Sequence, residues 1–175
     1  MKKFLGVTKV CVLMVVVMVL SGCAGTIKLT ETTFKSAPNP DVVFIIEDKH
    51  FSDLFVVGTT VEISSINEIS KAINTVFKDK AVAIYSHNKP VPEFLNRKVN
   101  IVKITPVEFN LYGLPFFWAG KFSADTSING ETKQIEAREM VHSTPFSTGV
   151  ADAKRLTGKL FLDFAQKLRE ELKIQ

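Results

Sequence analysis

Apart from its cysteines, this 175-residue chain gathers side chains capable of chemistry in two places. The first is Glu47-Asp48-Lys49-His50-Phe51-Ser52-Asp53, which sets three carboxylates beside an imidazole. Such a set suits metal ligation or an acid/base pair. Its spacing, however, matches neither a helical pair of histidines nor a metal-binding loop, and it reads as a solvated loop after a strand. The second is His142, with Ser143, Thr144 and Ser147 close behind it. A hydroxyl nucleophile needs a base and an orienting group brought to it in space, and sequence proximity alone does not supply them. His87 stands by itself. The chain has no G-x-S-x-G turn, phosphate-binding loop or dinucleotide fingerprint. The expectation is a protein that is not an enzyme, with no metal and no cofactor.

The strongest chemical signal is a cysteine near the start. Lys2, Lys3 and Lys9 precede an apolar run from Val10 to Leu20, and Leu20-Ser21-Gly22-Cys23 follows. A positive segment, a short apolar segment and a small-residue site are the parts of a secretory signal peptide. As a helix the apolar run would rise about 16 Å, too short for a hydrocarbon core of about 30 Å. The four residues ending at Cys23 resemble the lipobox of bacterial lipoproteins. That resemblance implies cleavage between Gly22 and Cys23, with diacylglycerol on the Cys23 thiol and palmitate-type chains anchoring the protein in a membrane. A thiolate is the ordinary side chain most readily alkylated, and two or three acyl chains anchor stably where one binds marginally. Ala24-Gly25, with no Asp next to the cysteine, resembles the pattern of export to an outer membrane, with the domain facing the periplasm. In a host with a single membrane the same anchor implies the cell membrane.

Removing residues 1–22 changes the charge balance. The formal net charge of +4 rests on 22 basic and 18 acidic residues, and the leader takes three lysines and no acid. The remaining 19 basic residues nearly balance the acids, so no electrostatic reason points to nucleic acid. Of the two cysteines, Cys11 leaves with the leader and Cys23 carries lipid, which leaves no thiol for a disulfide. An exported domain of about 150 residues must then be held by its core, and 14 phenylalanines supply bulk for it.

Three regions follow: a signal peptide over 1–22, an acylated N-terminus and flexible tether over 23–41, and one α+β domain over 42–175. The tether reading rests on the Thr, Ser, Pro and Lys content of residues 24–41. Val42–Ile46 suits a buried strand, and Phe55–Ile63 a second one interrupted at Gly58. Ile66, Ile69, Ile73, Val76 and Phe77 share a helical face, so a helix is predicted over about 66–78. Ser65 with Glu68 fits a capping box. Strand character returns at residues 81–86 and again at 99–109, where Pro106 marks an edge or a bulge.

Asn129-Gly130 is the preferred pair for a two-residue hairpin turn. Folding there sets Ile128 against Glu131 and Trp118 against Val141. Trp118, Phe122 and Ala124 then share an apolar face with Ile135, Ala137 and Val141, and Lys121 shares the opposite face with Glu136 and Arg138. Glu139, opposite Gly120, breaks that pattern. Val150, Ala153, Leu160, Phe161, Phe164, Leu168 and Leu172 give a last helical stripe, interrupted by Gly158. The fold class expected is α+β, an antiparallel sheet with two helices packed on one face. In layout the chain is similar to small outer-membrane lipoproteins of the YajG-like and LptE-like groups, and only the lipobox in that likeness is specific.

Tyr112, Phe116, Phe117 and Trp118 crowd one strand entrance. With Trp118 in the core, Phe117 points outward beside His142, a candidate anchor for a partner or for lipid. Tyr112, Phe116, Phe117, Lys121 and Arg138 are therefore the candidate partner-binding residues. Besides the membrane, the partners expected are an envelope protein or a lipid or glycan, with no nucleic acid. The reading is a membrane-anchored envelope lipoprotein with a non-catalytic binding or assembly-support role. An accessory docking subunit of an envelope transport or peptidoglycan-synthesis complex is the alternative, and a hydrolase built on residues 47–53 is a third.

Overall fold

The computed structural model describes residues 25–28, 37–56, 59–88, 99–114, 117–143 and 149–173. Cys23 and the cleavage site before it lie outside the described residues, as do Phe116, Thr144 and Ser147. Two sheets and two helices make an α+β fold. The larger sheet has the order β5-β2-β6-β7-β8, formed by β2 (Val42–Ile46), β5 (Val82–Ser86), β6 (Asn100–Leu114), β7 (Phe117–Ile128) and β8 (Glu131–His142). The smaller has the order β1-β4-β3, formed by β1 (Gly25–Lys28), β3 (His50–Val56) and β4 (Thr59–Ser64). The helices are α1 (Ser65–Val76) and α2 (Gly149–Leu172).

The large sheet is mixed, which corrects the expectation of an antiparallel one. β6, β7 and β8 are antiparallel, whereas β2 runs parallel to both β5 and β6. The reason lies in the connection from β2 to β5, which contains α1. A crossover of that kind brings the chain back in the same direction. β2 is buried throughout except at Ile45, in keeping with its uninterrupted apolar sequence.

The hairpin pairs as its sequence predicts. Asn129 and Gly130 both take positive φ (50° and 96°), as a turn of the favoured hand requires, and Trp118 lies opposite Val141. The register in β6 shifts between Pro106 and Glu108, so Pro106 does mark a bulge. Both helices cover one face of the large sheet. Phe77, just past α1, meets Phe44 edge-on with ring centroids 5.2 Å apart. On α2, Phe161 packs 4.5 Å from Phe122, and Phe164 lies 5.0 Å from Phe122. α2 is continuous through Gly158, where a side chain would meet nothing within 4 Å. Val150, assigned to the apolar stripe, is exposed, because the stripe reaches the sheet only from Ala153 onward.

Three local expectations are corrected. Ser65 forms no capping box: its hydroxyl donates to the Glu47 carbonyl (3.1 Å) and accepts from the Lys49 amide (2.8 Å). Glu68 instead pairs with Lys71 at 2.7 Å. The segment 55–63 contributes to two antiparallel strands, β3 and β4. Within the segment read as a tether, Gly25–Lys28 pairs in parallel with Thr59–Glu62, so these four residues belong to the folded body.

One glycine has a clear steric duty. Gly113 faces Trp118 across β6 and β7, and a Cβ there would fall 1.8 Å from Cζ3 and 2.5 Å from Cε3 of the indole. The ring cannot swing aside freely, because Nε1 donates to Asp152 Oδ2 at 3.2 Å. Gly113→Ala is expected to cost about 1–3 kcal/mol in urea unfolding, and an unchanged midpoint would show that the indole yields at no cost.

Candidate functional site

The outer face of the large sheet, away from the helices, is built by residues of alternate parity on three strands. Lys121 on β7 lies between Asn110 on β6 and Arg138 on β8, and Ala119 lies between Tyr112 and Met140. Lys121 Nζ is 2.7 Å from Glu108 Oε2 and 3.3 Å from Glu136 Oε2. Arg138 bonds the other oxygen of Glu136, and Asn110 donates to the other oxygen of Glu108. The result is a ladder running Asn110, Glu108, Lys121, Glu136, Arg138 across the strands.

The charges in this ladder are fixed by one another. The hydrogen bond to Glu108, with a further one to Glu136, raises the Lys121 pKa above the usual lysine value. Arg138 is the main cause that holds Glu136 below the usual carboxylate value, and Glu136 in turn raises the Arg138 pKa. Ion pairs so open to water add little to stability. What they do is hold alternating charges at set positions on the surface.

Beside the ladder, Tyr112 and Met140 stand 53 % and 51 % exposed, with the small Ala119 between them on the same face. Together with Glu108, Lys121, Arg138 and Glu139 they line a groove of about 550 Å³. An apolar floor with polar groups converging from one side is the usual form of a recognition site. Of the residues singled out in sequence, the structure gathers Tyr112, Lys121 and Arg138 here. Phe117 lies on the same face at the end of β7, half-buried and opposite His142.

Glu108 and Met140 were not foreseen. Without the bulge, Glu108 would share the core parity of Ile104 and Pro106; the extra residue Val107 turns it outward. Pro106 signalled a bulge but not which later residues it would flip. Glu139 keeps its place opposite Gly120, which has no side chain of its own to set against it.

In the cluster at residues 47–53, Asp48, Lys49 and Asp53 bond backbone and hydroxyl groups. The Asp53 carboxylate accepts the Leu111 amide at 2.6 Å, and Asp48 accepts the Ser64 hydroxyl at 2.8 Å and lies 3.7 Å from His50. Lys49 donates to the Val107 carbonyl at 3.1 Å. The bonds of Asp53 and Lys49 serve backbone groups of β6 beyond Ile104, where β2 no longer pairs with it. Among the described residues no three His, Cys, Asp or Glu side chains are grouped to hold a metal. The other sequence candidate, Ser143, donates its hydroxyl to Asp152 Oδ2 at 2.8 Å. Asp152 is 1 % exposed and also receives Arg155 at 3.0 Å, which ties the start of α2 to the ends of β7 and β8.

No family model matches the chain, and no curated protein matches it either. Among solved structures, it is similar to a minor lipoprotein from Acinetobacter baumannii, at 9 % identity and a TM-score of 0.39, over 73 % of this chain and 90 % of that one. A protein from Helicobacter pylori, described as a homolog of a neuraminyllactose-binding hemagglutinin, gives 6 % identity and a TM-score of 0.41, over 84 % and 92 % of the two chains. A protein from Xanthomonas campestris gives 7 % and 0.36, over 85 % of this chain and 100 % of that one.

Proposed function

We propose that the chain is a non-catalytic lipoprotein of the bacterial envelope, anchored through Cys23, which presents the outer face of its large sheet to an envelope partner. The observation that carries the binding role is the groove beside Tyr112 and Met140, lined by the charges of Glu108, Lys121 and Arg138, with Glu136 pairing Lys121 and Arg138 behind them. An open apolar floor flanked by ordered charges of both signs suits a protein surface, where charge sets register and apolar contact supplies affinity. No helix among the described residues is long and apolar enough to cross a membrane. Attachment then rests on the acyl chains of Cys23, in the outer membrane by the Ala24-Gly25 pattern.

Two measurements test this reading. Cys23→Ser is expected to abolish labelling by radioactive palmitate and to release the protein from the membrane fraction; continued labelling would overturn the anchor. For the binding role, a photo-crosslinking residue at Met140 is expected to trap one discrete envelope protein in living cells. The adduct should disappear when Lys121 and Arg138 are both changed to Glu with the melting temperature retained. An adduct indifferent to that reversal, or no protein adduct, would remove this face as the binding site.

A further inference from the structure

The backbone brings Gly25, two residues after Cys23 in the sequence, and the strand ends of two uncharged hairpins to one end of the molecule. Residue pairs 49/107, 51/109 and 53/111 meet through a side-chain bond, a ring contact and a second side-chain bond. The separation in each is 58 positions, so β3 runs alongside β6 in the same direction. Continuing that offset sets Val56, the last residue of β3, beside Leu114, the last of β6. Val56 is paired with Thr59, and Thr59 with Gly25, the first residue of β1. Leu114 is paired with Phe117, and Phe117 with His142. Gly25, the β3–β4 hairpin end and the β6–β7 hairpin end therefore lie together.

Cys23 precedes Gly25 by two residues, a span of about 7 Å at most when fully extended. A lipid-bearing Cys23 cannot sit far from this end, because β1 leaves no slack between them. The composition of the end agrees with that position. Leu54 to Val61 (LFVVGTTV) and Leu111 to Gly120 (LYGLPFFWAG) contain no charged residue. The opposite end is polar: the β7–β8 turn is Asn129-Gly130, followed by exposed Glu131, Thr132 and Lys133. The 12 residues of β7, Phe117 to Ile128, separate the two levels by roughly 36 Å.

We infer that the end carrying Gly25, Val56 and Phe117 faces the bilayer and seats its two hairpin ends in the lipid interface beside the acyl chains. This rests on the acylation of Cys23 proposed above. It also sets the groove at Tyr112 and Met140 close above the membrane, since Tyr112 is two residues from the end of β6 and Met140 two from the end of β8. A membrane-bound partner would reach that level; a soluble one deep in the periplasm would not.

The test uses the acylated protein in vesicles of phosphatidylethanolamine and phosphatidylglycerol. Acylation occupies the Cys23 thiol, so a single introduced cysteine takes an environment-sensitive fluorophore selectively. Labels go at Phe55→Cys, at Phe117→Cys and, as the distant control, at Thr132→Cys. Lipids carrying a spin label near the headgroup are expected to quench the first two several-fold more than the third. Equal quenching at all three positions overturns the inference. The mass of each purified protein is read first: a missing acyl mass counts against the anchor itself, whereas an acylated protein with unquenched labels counts only against the orientation. Phe117→Cys carries the test alone if Phe55→Cys does not fold.

Discussion

Phe161→Ala should lower the unfolding free energy by about 3–5 kcal/mol in urea titration, the range for deleting a buried phenyl ring. Phe161 is 1 % exposed and joins α2 to two strands at once, with ring centroids 6.2 Å from Phe109 on β6 and 4.5 Å from Phe122 on β7. The sheet offers little to refill the void. Gly120 already brings β7 against Leu156 and Leu160 of α2, where an added Cβ would stand 3.4 and 3.3 Å from their side chains. A backbone held that close on one side of the ring cannot collapse on the other, so the cavity should persist. Phe161→Leu keeps most of the volume and should cost less than about 1.5 kcal/mol. Equal losses for the two variants would show that ring contacts, not volume, hold α2 down.

The second large effect concerns Asp152. Its carboxylate accepts Trp118 Nε1, the Ser143 hydroxyl and Arg155 in a site closed to water. Asp152→Ala removes the carboxylate that the indole N–H, the Ser143 hydroxyl and the Arg155 guanidinium share. Hydrogen bonds to a charged group are each worth about 1.5–3 kcal/mol, and the Trp118 and Ser143 donors are only partly buried, which limits the loss. Arg155 is 45 % exposed and also bonds the His142 carbonyl, so its charge stays partly hydrated. The expected loss is therefore about 2–4 kcal/mol, below that of a fully buried ion pair broken on one side. Asp152→Asn should be milder, because one oxygen still accepts. Combining Asp152→Ala with Trp118→Phe should cost less than the sum of the two, since each change alone already removes the same Trp118–Asp152 hydrogen bond. Strict additivity would mean that the 3.2 Å contact contributes nothing.

Much of the fold was legible in the sequence because it is encoded by neighbours along the chain. The helical spacing of Ile66, Ile69 and Ile73 placed α1, and the alternation about Asn129-Gly130 placed the hairpin with its register. Turn chemistry and periodicity are local, and one sequence carries them entire. The outer face of Lys121, Glu136 and Arg138 was legible for the same reason, being a consequence of that register. The use of Ser65 was not. A serine ahead of a helix satisfies a capping pattern equally well whether its hydroxyl turns to the helix or to the 47–49 backbone. Only the position of that second segment decides between them.

The sequence by itself determined the two helices, the long hairpin and its two-faced character, and it marked Cys23 as the residue whose chemistry resembles a lipid anchor. Tertiary structure alone decided what depends on partners far along the chain. β2 chose β6, 58 positions away at each paired residue, and ran parallel to it because a helix-containing crossover intervenes. The bulge at Val107 turned Glu108 outward and completed the charge ladder. Gly25–Lys28, too short to be stable alone, became a strand only because β4 offered an edge. Periodicity is written in the order of residues, whereas pairing is chosen in space among all the edges and faces that folding brings within reach.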